Sequence, residues 1–380
     1  MQTENSIYDC AVIGGGLAGL CLAIQLADRG WQVIVFEKNE FPLHKVCGEY
    51  ISMESHDFLC RIGLPVKDWN LPYITQLGIS SEQGFMLDAP LSLGGFGISR
   101  YTLDHELYLL AIKKGVIVLQ QCKVQKASFR EAEQNSLIET SKGNYTASLV
   151  CGSYGKYTPA FVQEQRDYTA EKNSKNYIGV KYHIRTDLPP DRIELHNFSD
   201  GYCGISKVDK DWYCLCYLSS AENLRKNGNS IAQMEEQVLY KNPFLKHYFS
   251  TSEFMNRQPL VISNVQFNKK QPYSNHVFLL GDAAGSISPL CGNGMSMGMR
   301  ASALLAAGIN AYLHKELTRK ELIARYTITW NSAFQTRIKT GYYLQNLFGK
   351  KTSTQLALKT LNLFPALTKK IISLTHGNPF

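Results

Sequence analysis

The stretch CAVIGGGLAGLCLAI, residues 10–24, carries four glycines within six positions, between two apolar runs. Gly14, Gly16 and Gly19 fit the pattern G-x-G-x-x-G, with a strand-like run before them and a helix-like run after them. In a strand–turn–helix unit the first glycine permits a tight turn, the second lets a pyrophosphate approach the backbone, and the third lets the helix pack closely on the strand. The free N–H groups of the helix N-terminus then face the phosphates. The stretch predicts a dinucleotide site, although glycine-rich strand ends also occur in hairpins.

The next segment favours the dinucleotide interpretation. WQVIVFEK, residues 31–38, predicts a second strand at the place where a strand–helix–strand unit returns, and Glu37 stands near its end. The fingerprint places an acidic residue about 20 residues beyond the first glycines, where it binds a ribose hydroxyl. The alternative for Glu37 is a solvated charge at a strand end.

Composition excludes several classes of protein. With 380 residues, 44% hydrophobic and 19% charged, the chain predicts one large or two ordinary globular domains. No apolar run reaches the length of a membrane span, and the first residues lack the pattern of a signal peptide. The ten cysteines form no C-x-x-C pair and the nine histidines show no ligand spacing, so we expect reduced thiols, no metal and a cytoplasmic location.

Positive charge is concentrated at the end of the chain. The net charge is +8, yet the segment from Lys315 onwards holds eleven basic and two acidic residues. No basic cluster is interleaved with aromatic residues, so we expect no nucleic-acid partner. Residues 352–374 show apolar residues at helical spacing with lysines between them. This pattern predicts one of two structures. The first is a capping helix with a solvated basic face, and the second is a surface by which the protein binds peripherally to an anionic membrane or to an acidic carrier protein.

The middle of the chain has a different pattern. Segments between residues 175 and 220 alternate as strands do, and predict an antiparallel sheet. HVFLLGDAAGSISPLCGNGM, residues 276–295, then returns to a strand, a glycine-rich turn and a helix. We therefore predict a nucleotide-binding domain (1–75, 95–160 and 260–310), an interrupting sheet domain that binds substrate (76–94 and 161–259) and a helical basic tail (311–380).

Three separated segments resemble a known family. AVIGGGLAGL with FEK, ISRYTLDHEL and VFLLGDAAGSISPLCGNGM occur in the order found in FAD-dependent oxidoreductases with the p-hydroxybenzoate hydroxylase-like fold. FPLHKVCGEYIS, residues 41–52, is similar to the K-x-C-G-G loop of the geranylgeranyl reductase-type flavoproteins. The resemblance covers about residues 6–310. It implies an α/β fold in which a Rossmann-like FAD-binding domain is interrupted by an antiparallel-sheet substrate domain, with a helical C-terminal tail.

The resemblance implies site residues for both halves of FAD. Those expected at the adenosine and phosphate half are Gly14, Gly16, Ala18, Gly19, Glu37, Lys38, Arg100 and Val124. Those expected at the flavin half are Cys47, Gly48, Tyr50, Gly281, Asp282, Pro289, Gly292, Asn293, Gly294 and Met295. Two residues keep an alternative. Asp282 would also suit the N-cap of the following helix, although its Gly-Asp-Ala-Ala context favours FAD, and Cys47 would suit a small buried apolar position.

Departures from the family pattern bear on the reaction. The G-A-D-G segment of the hydroxylases is replaced by LVCGSYGKYTPA, with Tyr154 at the aspartate and Lys156 nearby, so NAD(P)H as direct electron donor is uncertain. The W-x-W-x-I-P motif and the lysine of the halogenases are missing, which argues against halogenation. Of the reductases' Y-x-W-x-F-P, only Tyr202 is kept.

The predicted function is therefore an FAD-dependent oxidoreductase, monooxygenase-like or dehydrogenase-like, without a chosen substrate. We expect a hydrophobic or aromatic small molecule or a lipid-like chain, held against the middle sheet by Tyr202, Tyr213, Cys203 and Tyr217, with Cys47 and Tyr202 as candidate catalytic residues. The alternatives are a prenyl-type double-bond reductase, a non-catalytic or donor-specific flavoprotein, and a nicotinamide-only dehydrogenase.

Overall fold

A computed structural model describes residues 7–162, 176–265, 270–285, 290 and 292–380. Its strands, in chain order, are β1 Ile7–Ile13, β2 Val33–Phe36, β3 Tyr50–Ser52, β4 Tyr73–Ser80, β5 Met86–Gly97, β6 Ile117–Leu119, β7 Val124–Arg130, β8 Asn135–Thr140, β9 Gly143–Gly152, β10 Tyr177–Arg185, β11 Arg192–Phe198, β12 Gly201–Lys207, β13 Tyr213–Ser220, β14 Glu253–Phe254, β15 Leu260–Val265, β16 Tyr273–Ser274 and β17 Val277–Leu279.

The helices follow the same numbering. They are α1 Leu17–Ala27, α2 His56–Ile62, α3 Arg100–Lys113, α4 Ala221–Lys226, α5 Ile231–Gln237, α6 Pro243–Thr251, α7 Gly294–Leu313, α8 Arg319–Leu347, α9 Lys351–Leu363 and α10 Pro365–Thr375. Short 3₁₀ turns lie between them, including one at Gly281–Ala283. Among the helices of the described ranges, none combines the length and apolar content that a bilayer crossing requires.

The first sheet brings the predicted dinucleotide elements together. Its order is β16-β17-β9-β1-β2-β6, with the β7–β8 hairpin joined through β8 to β9. From β17 to β6 neighbouring strands are parallel, so their carboxyl ends lie at one edge, where ligands bind in open α/β sheets. Helix α1, buried from Leu17 to Leu26, packs against α3 and α7 beside this sheet.

The second sheet has the order β14-β10-β13-β12-β11-β4-β5-β3, and β15 pairs with β10. The predicted antiparallel pairing of β10, β11, β12 and β13 is present. One pair, β4 with β11, is parallel. The predicted α/β fold class is confirmed. The parallel pair joins two strands that are far apart in the chain, and so needs no tight turn between them.

The two sheets do not divide the chain at the predicted boundaries. β3 and β15 belong to the second sheet, although the predicted nucleotide-binding segments 1–75 and 260–310 include them. β5 also continues to Gly97, beyond the predicted end at residue 94. Strands this short, or with as many exposed residues as β15, leave too weak a pattern to assign them to a sheet.

Strand alternation gives the second sheet two distinct faces. One face packs on α5 and α6 in an apolar cluster that includes Val180, Tyr182, Leu215 and Met234. The opposite face points to the glycine-rich edge of the first sheet. This face and that edge together form the candidate active site, where Lys181 Nζ donates to the Lys45 carbonyl at 3.1 Å.

Candidate active site

Gly14 and Gly19 are required by the packing of the protein itself. Gly14 has a φ of +102°, and a Cβ there would lie 2.5 Å from the carbonyl oxygen of Ser153. A Cβ on Gly19 would lie 2.4 Å from the carbonyl oxygen of Gly14. Only glycine avoids these overlaps, which is why β1, its turn and α1 can meet so closely.

Gly16 has a different environment. The nearest atoms to a Cβ there would be the Ser153 carbonyl oxygen at 3.8 Å and the Lys45 ammonium at 3.9 Å. Its φ of −77° suits any residue, and it is the N-cap of α1 without a side-chain cap. A Cβ on Gly16 would therefore make only ordinary van der Waals contacts, and the α1 N-terminus lies beside a cation, as binding of a pyrophosphate requires.

Two cations share one buried carboxylate beside this opening. Arg100 donates from Nε and Nη2 to Asp104 at 2.8 and 2.7 Å, and Lys45 Nζ lies 2.9 Å from the same carboxylate. Burial opposes ionisation of Asp104, but Arg100 and then Lys45 hold its pKa below the ordinary value. The group keeps a net positive charge, which suits the diphosphate that the resemblance places near Arg100.

Glu37 is buried and organises the turn. Its Oε2 accepts from the Gly15 N–H at 2.8 Å and its Oε1 from the Asn39 N–H at 2.9 Å. The Cys122 N–H donates to the Glu37 carbonyl, so the start of β7, with Val124, lies near this residue. Lys38 is exposed. The alternative of a solvated charge at Glu37 is wrong, because its side chain is 5% exposed.

The second glycine-rich turn packs directly on the first. A Cβ on Gly281, whose φ is +61°, would lie 3.4 Å from the Ala18 Cβ, and one on Gly298 would lie 3.3 Å from the same atom. A small cavity lies beside the second turn, between that turn, α7 and α8, and is lined by Gly281, Asp282, Gly294, Met297, Trp330 and Phe334. Residues some 260 positions apart in the chain therefore form one site.

Asp282 does not cap a helix. The N-cap of α7 is Asn293, and within the described part of the chain the Asp282 carboxylate makes no hydrogen bond or ion pair. The alternative interpretation of Asp282 as an N-cap is therefore wrong. Its carboxylate remains available to a hydroxyl group of a ligand.

The N-terminus of α7 also lacks a protein cap. Asn293 makes no capping bond; its Nδ2 donates instead to the Thr375 carbonyl at 2.8 Å, and its buried Oδ1 has no partner among the described residues. The first N–H groups, of Gly294 and Met295, point out of the helix end, and such an end stabilises an anion. Gly292 takes a φ of +63° in this turn. Pro289 lies outside the described residues.

The Lys45–Tyr50 loop faces this helix end. Cys47 Sγ lies 3.8 Å from Met295 Sδ, and no atom of the described residues lies within 4 Å of a Cβ built on Gly48. The Tyr50 ring packs by Gly292, and its buried hydroxyl has no partner in the described ranges. Because Gly48 has no positive φ, its lack of a side chain has no cause within the described protein and leaves room for a flat ligand.

Sequence reasoning missed the residue after Gly48. Glu49 is completely buried; its Oε1 contacts Lys181 Nζ and accepts from the Arg100 N–H at 2.7 Å, and its Oε2 lies 2.7 Å from His183 Nε2. We call Glu49, Lys181 and His183 the buried ion cluster. The available signal was a lysine and a histidine at alternate positions of the apolar segment YIGVKYHIR.

Glu49 and Lys181 of the buried ion cluster remain charged. Burial raises the pKa of Glu49. The His183 hydrogen bond and the Lys181 charge lower it by more, so that the pKa lies below its ordinary value. Burial lowers the pKa of Lys181, whereas the Cys214 sulfur and Glu49 raise it to a net value above the ordinary one. Glu49, His183 and Cys214 also have metal-ligand spacing, but the Lys181 ammonium already neutralises the carboxylate.

Tyr202 lies on the face towards the glycine turns, packed with Leu218 and Leu290. Cys203, Tyr213 and Tyr217, which we expected beside it, pack on the other face with α5 and α6. That part of the prediction is wrong. Cys214 takes the inward place, and its Sγ donates to the Cys47 carbonyl at 3.2 Å.

Comparisons with known proteins agree with this geometry. Residues 9–45 match the profile of the family described as FAD dependent oxidoreductase. The uncharacterized protein MJ1520 of Methanocaldococcus jannaschii is 32% identical over 90% of this chain and 84% of its own. Conditioned medium factor receptor 1 of Dictyostelium discoideum is 26% identical over 87% of this chain and 69% of its own length. The digeranylgeranylglycerophospholipid reductase of Methanococcus vannielii is 22% identical over 93% of this chain and 88% of its own length.

The chain belongs to the FAD-dependent oxidoreductases. The flavin-dependent brominase Bmp2 has a similar fold, with a TM-score of 0.79 and 17% identity over 97% of this chain and 93% of that one. PqsL of Pseudomonas aeruginosa, described as a probable FAD-dependent monooxygenase, has a TM-score of 0.70 and 15% identity over 93% of this chain and 100% of that one. The expectation of an FAD-binding enzyme is confirmed. The reductase resemblance within this flavoenzyme family is distant, at 22% identity.

Proposed function

We propose that this FAD-dependent oxidoreductase is a monooxygenase that hydroxylates a hydrophobic or aromatic small molecule held between the flavin and the second sheet. The observation that carries the proposal is the character of the sheet face opposite the Lys45–Tyr50 loop. Towards one end it presents Lys181 and His183 of the buried ion cluster, and towards the other an apolar wall that includes Tyr202.

The apolar wall defines the substrate class. Tyr202, Leu218, Val265 and Leu290 are its buried members, and Leu344 and Phe348 from the end of α8 pack against them. Such a surface binds an aromatic ring or an alkyl chain by excluding water, and gives a charged metabolite little to pair with. Tyr202 stays the candidate residue for contact with substrate.

The proposed FAD site follows from the two glycine turns. Gly16, Lys45 and Arg100 would hold the diphosphate, and Glu37 would accept from the adenosine ribose. Asp282 would accept from a ribitol hydroxyl. The isoalloxazine would lie along Gly48, with its pyrimidine edge at the free N–H groups of Gly294 and Met295. Support comes from the open space at Gly48, from the absence of steric overlap at Gly16 and from the partnerless Asn293 Oδ1 in the described chain.

The protein's own part in the chemistry is to orient and to stabilise charge. Bound FAD supplies two-electron transfer and the activation of oxygen. The N-terminus of α7 would stabilise negative charge at the pyrimidine edge. The buried ion cluster fixes the Lys45–Tyr50 loop from behind, through Glu49, so that Cys47 and Gly48 keep their positions.

The proposed reaction balances as follows. One atom of O₂ replaces hydrogen with hydroxyl on the substrate, and the other leaves as water with two protons. The two electrons come from an external donor, either NAD(P)H directly or a reductase partner. Because Tyr154 and Lys156 replace the family's G-A-D-G segment, we propose the reductase route and test both.

The experiment that tests this proposal measures the mass of the reaction product by mass spectrometry. Purified holoenzyme is incubated with hydrophobic aromatic and alkyl candidates, bromide, ¹⁸O₂ and either NADPH or a flavodoxin-type reductase system. We expect one ¹⁸O atom in the product. A change of two hydrogens would replace the proposal with double-bond reduction, and bromine incorporation would replace it with halogenation. A flavin that neither donor reduces would favour a non-catalytic flavoprotein.

A further inference from the structure

The last two helices expose the residues that helices normally bury. In α9 and α10 the exposed side chains include Leu356 at 69%, Leu363 at 74% and Leu367 at 46%, whereas Thr354 and Thr368 are buried. Residues 362–367 comprise the end of α9, Phe364 and the start of α10. They are exposed throughout, and Phe364 is 56% exposed. We call residues 351–375 the C-terminal hairpin. Leu358 and Ile372 pack against the protein, and a second set of apolar side chains is turned away from it.

Lysines are spaced among these exposed leucines. Leu356 and Leu363 are seven residues apart, on one face of α9, with Lys359 between them. Leu367 and Leu374 repeat the spacing in α10, with Lys370 between them, and all six side chains are exposed. Leucines that enter a bilayer with lysines whose ammonium groups stay at its surface have this arrangement.

The charge is of one sign over a long segment. From Leu322 to Phe380 the chain has eight basic residues and no aspartate or glutamate. One of the eight, Arg337, is neutralised by buried Glu54. A symmetric contact between two copies of this surface would place like charges together, so a second copy of this chain is disfavoured.

The hairpin is joined to the candidate active site on its inner side. The Thr375 carbonyl accepts from Asn293, the N-cap of α7, and Ile372 packs against the cluster that contains Tyr50 and Leu91. A surface bound to the outside of the hairpin therefore lies next to the elements around the proposed flavin.

We propose that the C-terminal hairpin docks the enzyme on an anionic lipid bilayer, with Leu363 and Phe364 entering the headgroup region. An acidic carrier protein would satisfy the lysines. It would leave unexplained why two separate helices both expose leucines on either side of a lysine. The proposal concerns a partner of the protein and does not depend on which reaction the flavin site performs.

The test is sedimentation of the FAD-loaded protein with vesicles of phosphatidylcholine alone or with 30% phosphatidylglycerol, without substrate. We expect binding only to the anionic vesicles, weakened by raised salt. L363S/F364S should weaken it roughly tenfold or more, since two apolar side chains no longer insert. K359Q/K370Q should weaken it by a similar factor. Each variant is first checked for bound FAD and for an unchanged circular dichroism spectrum.

Matched controls come from elsewhere on the surface. Leu109, 46% exposed on α3, and the exposed lysines Lys67 and Lys113 lie outside the hairpin. L109S and K67Q/K113Q should bind vesicles like the unmodified protein. No binding to anionic vesicles, equal binding to both vesicle types, or equal loss in the control variants would overturn the proposal. L363S/F364S removes apolar insertion and K359Q/K370Q removes charge. If one of these variants fails to fold, vesicle binding by the other still tests the proposal.

Discussion

Gly14 and Gly16 stand two residues apart, yet they lack side chains for opposite reasons. A Cβ on Gly14 would overlap the Ser153 carbonyl, whereas a Cβ on Gly16 would make only ordinary van der Waals contacts with the Ser153 carbonyl oxygen and Lys45. The first glycine serves the fold, and the second serves the proposed ligand. Substitution separates the two roles.

Gly16→Val should fold and lose FAD. The N-cap backbone of Gly16 is extended, which valine tolerates, but its side chain would occupy the place of the diphosphate. We expect at least a tenfold drop in FAD bound per protein, measured by flavin absorbance after denaturation, with an unchanged circular dichroism spectrum.

Gly14→Ala is the contrasting variant. Its φ of +102° and the overlap with Ser153 should cost roughly 3 kcal/mol or more of folding free energy, so that little soluble protein is recovered. A folded Gly14→Ala protein, or a Gly16→Val protein that keeps its FAD, would contradict this division of roles.

The buried ion cluster gives a second prediction at this scale. Lys181→Met leaves the Glu49 carboxylate without its ammonium partner, and breaking a buried pair costs about 3–5 kcal/mol. Glu49→Gln combined with Lys181→Met removes both charges and should recover part of that loss. Urea unfolding of the single and double variants measures the coupling; additive losses would show that the two side chains act independently.

Sequence patterns predicted elements well where the signal is local. The glycine turn between β1 and α1, and the alternation in β10 to β13, depend on neighbouring residues. The inward face of β12 and β13 was not predictable, because alternation separates Cys203 from Tyr202 without indicating which one meets the flavin side. The contact of Glu49 with Lys181 joins residues 132 positions apart, and no local pattern reports it.

Strand β11 carries a pH-dependent contribution to stability. Glu194 accepts from Tyr248 at 2.8 Å and pairs with Arg192 at 2.6 Å and with His196 at 3.0 Å. Burial raises its pKa, but the hydrogen bond and charge of His196 and the Arg192 and Tyr248 hydrogen bonds lower it from 4.5 to about 2. The carboxylate therefore stabilises the folded state by about 3 kcal/mol above pH 4.5.

This contribution is lost as the pH falls from 4.5 towards 2. Glu194→Gln should accordingly be less stable than the unmodified protein at pH 6, and the difference should shrink as the pH is lowered. The free energy of unfolding in urea, measured for both proteins from pH 6 to pH 3, tests this. A difference that is constant with pH would contradict the assignment.

At the scale of the whole molecule, Arg337 fastens α8 to an early part of the chain. Its guanidinium lies 3.2 Å from the carboxylate of Glu54, which is fully buried before α2. Arg337→Met leaves that carboxylate unpaired and should lower the free energy of unfolding by about 3–5 kcal/mol.

The control for Arg337→Met lies on the same helix. Arg325 is exposed, so Arg325→Met should change the free energy of unfolding by less than about 0.5 kcal/mol. Equal effects of the two substitutions in urea unfolding would show that Arg337 does not act through Glu54.

The strand order of the first sheet places side by side strands that are synthesised at widely separated times. β1 and β2 leave the ribosome first, but their neighbours on the other side, β9 and β17, are synthesised much later, and the second glycine turn follows β17. On the proposed FAD site, a nascent chain halted before residue 280 would lack the contacts of Asp282 and of the α7 N-terminus. The proposed FAD site is therefore complete only once the start of α7 at Gly294 has been synthesised, although its first glycine turn stands near the beginning of the chain.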